Sequence, residues 1–69
     1  MLTLNRVNKE LAKLGHKDIL VKGNGYFYFC EGESDYWITS SVYVHRLNQL
    51  TLEQWIYAYD SLRDANFTA

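Results

Sequence analysis

Cys30 and His45, with an acidic residue to orient the imidazole, are the residue types of a Cys-His nucleophilic dyad. The residues around the cysteine carry no enzyme-like local pattern, and a thiol within a strand-forming run serves as a small apolar filler. The chain is therefore expected not to be an enzyme, and Cys30 not to be a nucleophile. His16 and His45 are two nitrogen ligands, too few for a structural zinc, and no Cys/His cluster adds to them. Lys22-Gly23-Asn24-Gly25 has the look of a phosphate-cradling loop, but such loops open into a helix N-terminus and this one opens into a strand. Glu31-Gly32-Glu33-Ser34-Asp35 offers oxygen ligands without the spacing of a calcium loop. No metal and no cofactor is expected.

The remaining chemistry is aromatic. Four consecutive rings, Tyr26, Phe27, Tyr28 and Phe29, follow the Gly-Asn-Gly turn. Strand alternation sends the two phenylalanines to one face and the two tyrosines to the other. Hydrocarbon rings suit a core, and phenols suit a surface that is partly wet. Leu20, Tyr26, Tyr28, Trp37 and Tyr43 are expected together on the outer face of a sheet. Tyr57 on the acidic side of the second helix completes the partner-binding candidates. Tyr and Trp are typical interface anchors.

Elements that would carry these residues can be read along the chain. Thr3 is an N-cap, and Leu4, Val7, Leu11 and Leu14 form one helical stripe. Gly15 is the stop, so a helix is predicted over residues 4–14. Asp18 to Lys22 is a strand. A two-residue Asn24-Gly25 loop would pair Val21 with Tyr28 and Lys22 with Phe27, setting a lysine on the phenylalanine face. A three-residue Gly23-Asn24-Gly25 loop would pair Ile19 with Phe29 and Val21 with Phe27. The three-residue loop is preferred, because every residue then suits its face. The alternating run Tyr36 to His45 reads as a third strand, with Ile38, Ser40, Val42 and Val44 inward and Trp37, Thr39, Ser41 and Tyr43 outward. Thr51 and Gln54 have capping-box spacing, and Leu50 and Trp55 the spacing of a hydrophobic staple. The second helix is expected to end near residue 65, with Asn66 to Ala69 frayed. Leu4, Val7, Leu11, Phe27, Phe29, Val42, Val44, Leu52, Ile56 and Tyr59 are the predicted core. The fold class is α+β, a single two-layer domain over residues 1–69: helix, three-stranded antiparallel sheet, helix, with both helices on one face.

Composition bounds what such a domain does. The chain has 69 residues, a formal net charge of −1 and 16% aromatic residues. A domain of this length is marginal alone, and with one cysteine it has no internal disulfide. A dense aromatic core or a homodimer would compensate. The near-neutral charge argues against a general nucleic-acid binder, but it is unevenly spread. Arg6, Lys9, Lys13, Lys17 and Lys22 against Glu10 and Asp18 give residues 1–30 a formal +3. Arg46 and Arg63 against Glu31, Glu33, Asp35, Glu53, Asp60 and Asp64 give residues 31–69 a formal −4. A lone cysteine, no apolar run of signal-peptide length and no apolar stretch of membrane-spanning length point to the cytoplasm.

The run Leu20-Val21-Lys22-Gly23-Asn24-Gly25-Tyr26-Phe27-Tyr28-Phe29, then Ser41-Val42-Tyr43-Val44 and Leu47 to Trp55, resembles small uncharacterised proteins of bacteriophages and prophages over residues 15–60. The element order is also similar to that of some small anti-CRISPR proteins. Those that mimic DNA are strongly acidic, and this chain is not. The resemblance supplies no catalytic motif. It implies a non-enzymatic small protein that binds a host factor. The expected role, in the cytoplasm of a bacterial host cell, is to engage or inhibit a host protein through the aromatic sheet face or the acidic helix. Binding of single-stranded nucleic acid by base stacking on the same face is the alternative. No membrane partner is expected.

Overall fold

The computed structural model describes residues 1–68, and capping chemistry sets where both helices begin. The Thr3 hydroxyl accepts from the Arg6 N–H at 3.2 Å and opens α1, Leu4–Lys13. Gly15, at φ 90°, closes it: its N–H donates to Ala12 O and the His16 N–H to Leu11 O, both at 3.0 Å. This is the paired bonding of a left-handed C-terminal cap, a conformation glycine adopts without steric cost. The second helix, α2, spans Leu52–Thr68. At its start the Gln54 N–H donates to the Thr51 hydroxyl at 3.2 Å, and the Thr51 N–H donates to Gln54 Oε1 at 2.9 Å. That reciprocal pair is the predicted capping box. The helix outruns its predicted end: residues 66–68, expected frayed, are helical, and Ala69 lies outside the described residues.

Between the helices lie β1 (Ile19–Lys22), β2 (Phe27–Cys30) and β3 (Ser41–Val42), antiparallel in the order β1-β2-β3. Two 3₁₀ turns, Glu33–Tyr36 and Leu47–Gln49, flank β3. Both helices pack on the same face, so the α+β two-layer architecture is as the sequence predicts. Val7 and Leu11 of α1, Leu20, Phe27 and Phe29 of the sheet, and Trp55 and Tyr59 of α2 are at most 2% exposed. Phe27 meets Trp55, and Phe29 meets Tyr59, edge to face at 5.2 and 5.1 Å. Leu4, Val42, Val44, Leu52 and Ile56 pack half-buried around this centre.

The hairpin register differs from the preferred one by one residue. Leu20 pairs with Phe29, Val21 with Tyr28 and Lys22 with Phe27. Leu20, expected on the outer face, is 1% exposed in the core, while Ile19 and Val21 turn outward. The lysine objection fails because Lys22 sits at the end of the sheet. There its charge stays in water and its stem lies along a groove beside Phe27. Asn8 of α1 locks the register: its Oδ1 accepts the Leu20 N–H at 2.7 Å, and its Nδ2 donates to the Leu20 carbonyl at 3.4 Å.

The third strand is also shorter than the alternating run suggested. Glu31 takes φ 70°, the 3₁₀ turn follows, and the chain rejoins the sheet only where the Phe29 N–H donates to Ser40 O at 3.0 Å. Residues 36–38 are therefore off the sheet, and alternation does not govern them. Ile38, predicted inward, is 91% exposed. Trp37, predicted on the outer face, packs against Tyr59 on the helix side, ring centroids 5.3 Å apart. Leu14, at the end of the α1 stripe, is half-exposed because the helix stops before it.

Candidate functional site

With both helices on one side, the other face of the sheet has no layer over it. Strand alternation and the observed register place Ile19 and Val21 of β1, Tyr28 and Cys30 of β2, and Ser41 of β3 there. Ile19 faces Cys30 across the strands, Val21 faces Tyr28, and Tyr28 faces Ser41. Beyond the strand ends, Tyr26 and Tyr43 extend the surface toward the hairpin tip. The Tyr26 ring lies 5.9 Å from Tyr28 and 6.2 Å from Tyr43, tilted in both cases. Gly23 makes this possible: a Cβ there would come within 2.5 Å of the Tyr26 ring. Tyr43 is 79% exposed, and Tyr26 and Tyr28 are half-buried against each other and the strands. No Asp, Glu, Lys or Arg stands among these residues. The result is an apolar platform edged by phenols, the composition of a contact surface.

Three of the predicted partner-binding residues, Tyr26, Tyr28 and Tyr43, thus share one surface. Leu20 and Trp37 leave it for the reasons above: the register puts one in the core, and the 3₁₀ turn swings the other behind the sheet. Tyr57 is 73% exposed, but it lies on α2, in the other layer. The register adds what the sequence reading did not place outward, Ile19 and Val21.

A side-chain amide meets the backbone beside each edge strand of this sheet. On β1, the Asn8 amide pairs with the N–H and carbonyl of Leu20. On the β3 side, Asn66 of α2 does the same for Thr39: Oδ1 accepts from the Ile38 N–H at 2.8 Å and the Thr39 N–H at 3.5 Å, and Nδ2 donates to Thr39 O at 2.9 Å. Each side-chain amide stands in for a neighbouring strand, a way of blunting an edge. A partner strand pairing at Leu20 or at Thr39 would have to displace one of them, whereas one docking on the face displaces nothing.

The titratable residues of interest lie elsewhere. The chain enters β1 through Asp18, which is 3% exposed. Its Oδ2 accepts from the Ser34 N–H at 2.7 Å and from the Ser34 hydroxyl, and its Oδ1 accepts from the Tyr59 hydroxyl at 2.7 Å. Burial pushes this carboxyl upward, but the donors from Ser34 and Tyr59 outweigh it and hold the group below its ordinary 3.8. The Tyr59 hydroxyl is pushed well above its ordinary 10 by burial and by the carboxylate it donates to. Both Asp18 oxygens are engaged, so the group ties β1, the 3₁₀ turn and α2 together and is no free base. Gly32 closes over it: a Cβ there would lie 2.8 Å from Asp18 Oδ1. Beside it opens a groove of about 470 Å³ lined by His16, Lys17, Glu33 and Arg63. His16 packs against Tyr59 with the rings tilted and their centroids 4.5 Å apart, and Arg63 Nε pairs with Glu33 at 3.4 Å. No sequence motif marks this network, because Asp18, Ser34 and Tyr59 are far apart along the chain.

Cys30 and His45 do not form a dyad. His45 lies at the hairpin tip beside Gly25, and Cys30 ends β2 at the opposite end of the sheet. Burial, Glu31, Asp35 and Asp18 all push the thiol above its ordinary 9.0, the reverse of what a thiolate nucleophile needs. Among the described residues no three His, Cys, Asp or Glu gather as a metal site. No described helix is long and apolar enough to cross a membrane. No family model, curated protein or solved structure matches the chain.

Proposed function

We propose that this chain is a non-enzymatic binding protein of the phage or prophage type. It engages a host protein, inhibiting it, through the outer sheet face bearing Tyr26, Tyr28 and Tyr43, in the cytoplasm of a bacterial cell. The observation that carries this reading is a sheet whose outer face, bearing Tyr26, Tyr28 and Tyr43, has neither helix over it. Apolar surface of this kind yields about 25 cal/mol for each Å² removed from water. Tyrosines supply the rigid, amphipathic anchors that dominate such contacts.

One observation supports a second reading, single-stranded nucleic acid. Lys22, His45 and Arg46 gather at the hairpin end, where Tyr26 and Tyr43 stand. Bases would stack on the tyrosines and phosphates would meet the cations. Glu31 and Asp35 at the other end limit the length of strand that fits.

The test is capture from a bacterial lysate by the immobilised chain, beside Tyr28→Glu and a labelled oligo-dT titration. The reading expects one protein retained by the parent and lost with Tyr28→Glu while circular dichroism is unchanged. Oligo-dT binding that Tyr28→Glu abolishes, without protein capture, would replace it with the nucleic-acid reading. Capture indifferent to Tyr28→Glu would remove the face from the function.

A further inference from the structure

The two ends of α2 carry surfaces of opposite character. At its N-terminal end lies a groove of about 390 Å³, floored by Leu2, Leu4, Phe27 and Leu47 and rimmed by Lys22 and Arg46. No acidic side chain lines it, and neither cation makes a salt bridge among the described residues. The backbone that carries the rim is held in place: Gln49 Oε1 accepts from the His45 N–H at 2.7 Å and the Arg46 N–H at 2.8 Å.

At the C-terminal end stands a knob of the opposite kind. Tyr36 and Ile38 are each 91% exposed, the most exposed large apolar side chains after Met1. Exposed Asp35 precedes Tyr36, and its Oδ1 accepts the N–H of exposed Glu31 at 3.0 Å. The knob is rigid. Trp37 roots it against Tyr59, and the Asn66 amide grips the backbone of Ile38 and Thr39. A helix of 17 residues separates groove and knob, a span of about 25 Å. One molecule therefore cannot fill its own groove.

We infer that the knob of one copy enters the groove of the next, so that the chain associates head to tail. Charge and polarity both match: acidic Asp35 and Glu31 on the knob meet Lys22 and Arg46 at the rim, and an apolar side chain meets an apolar floor. Both surfaces are preformed, which reduces the ordering cost of association. Because groove and knob are different surfaces, the contact is heterologous and does not close into a two-fold dimer. The outer sheet face takes no part in it and stays open along the assembly.

Sedimentation velocity over a range of concentrations tests this. The parent should exceed the size of a dimer as concentration rises, and added salt should reverse that. Arg46→Glu spoils the groove, and Ile38→Glu spoils the knob. Each should be monomeric alone, and an equimolar mixture should form a dimer and stop there. Tyr28→Glu should associate like the parent, which separates this contact from the proposed function. Circular dichroism monitors the fold, with Lys22→Glu and Tyr36→Glu as replacements for a variant that fails to fold. A parent monomeric at all concentrations, single variants that still associate, or a mixture that stays monomeric would each overturn the inference. So would a dimer abolished only by Tyr28→Glu, which would put the second copy on the sheet face.

Discussion

The two faces of the sheet are built from alternate residues of the same strands, yet they have different fates. On the inner face Leu20, Phe27 and Phe29 are at most 2% exposed, with Trp55 and Tyr59 edge-on against the phenylalanines. On the outer face Ile19, Val21, Tyr28 and Cys30 are only partly buried, with neither helix over them. A 69-residue chain forms enough helix to cover one side only. Stability is thus concentrated on one face, and the other is free to bind at little cost to the fold.

Substitutions that break this contrast fall in order. Phe27→Ala should have the largest effect, about 3–5 kcal/mol from lost burial and the cavity left behind, read from urea unfolding. Asp18→Ala comes next. It strands donors from Ser34 and Tyr59 in the interior, each costing roughly 1–3 kcal/mol, so a loss of about 3 kcal/mol in the same titration is expected. Gly32→Ala drives a methyl group into the Asp18 carboxylate and should cost about 1–3 kcal/mol. Thr51→Ala should lose about 1 kcal/mol with the cap of α2. Smallest of all, Tyr28→Glu should unfold within about 1 kcal/mol of the parent.

The Asp18 network also fixes how stability follows pH. The Asp18 carboxyl is held below its ordinary value in the folded state. The unfolded chain therefore binds the extra proton first as pH falls. This contribution is complete above about pH 4 and declines below it. Tyr59 acts at the other extreme. Its hydroxyl is raised when folded, so the unfolded chain ionises first and stability falls above about pH 10. Asp18→Asn should flatten the acid limb of a thermal-melt series. An unchanged limb would remove Asp18 as its source.

Much of the fold was legible in the sequence because it is local. The Thr3 and Thr51 caps, the Gly15 stop and the α1 stripe each depend on residues within one or two turns. The register was not legible, because it goes with a two-residue Asn24-Gly25 turn, closed by the Gly23 N–H on Tyr26 O at 2.7 Å, and with the hold on Leu20 of Asn8, a polar helix position with no motif to announce it. Ile38 and Trp37 exchanged sides because alternation holds only while the chain stays on the sheet, and the 3₁₀ turn takes them off it. Leu20 was lost from the candidate surface by the one-residue slip, which also brought Ile19 and Val21 onto it. The Asp18 network joins residues up to 41 positions apart, a distance over which sequence pattern carries no signal.

The contrast between the faces is tested most directly by urea unfolding of two neighbours, Phe27→Ala and Tyr28→Ala. The account predicts a loss of about 3–5 kcal/mol for the first and a clearly smaller one for the second, which is only partly buried. Equal losses would mean that the outer face is covered as the inner one is, and that it offers no free surface to a partner.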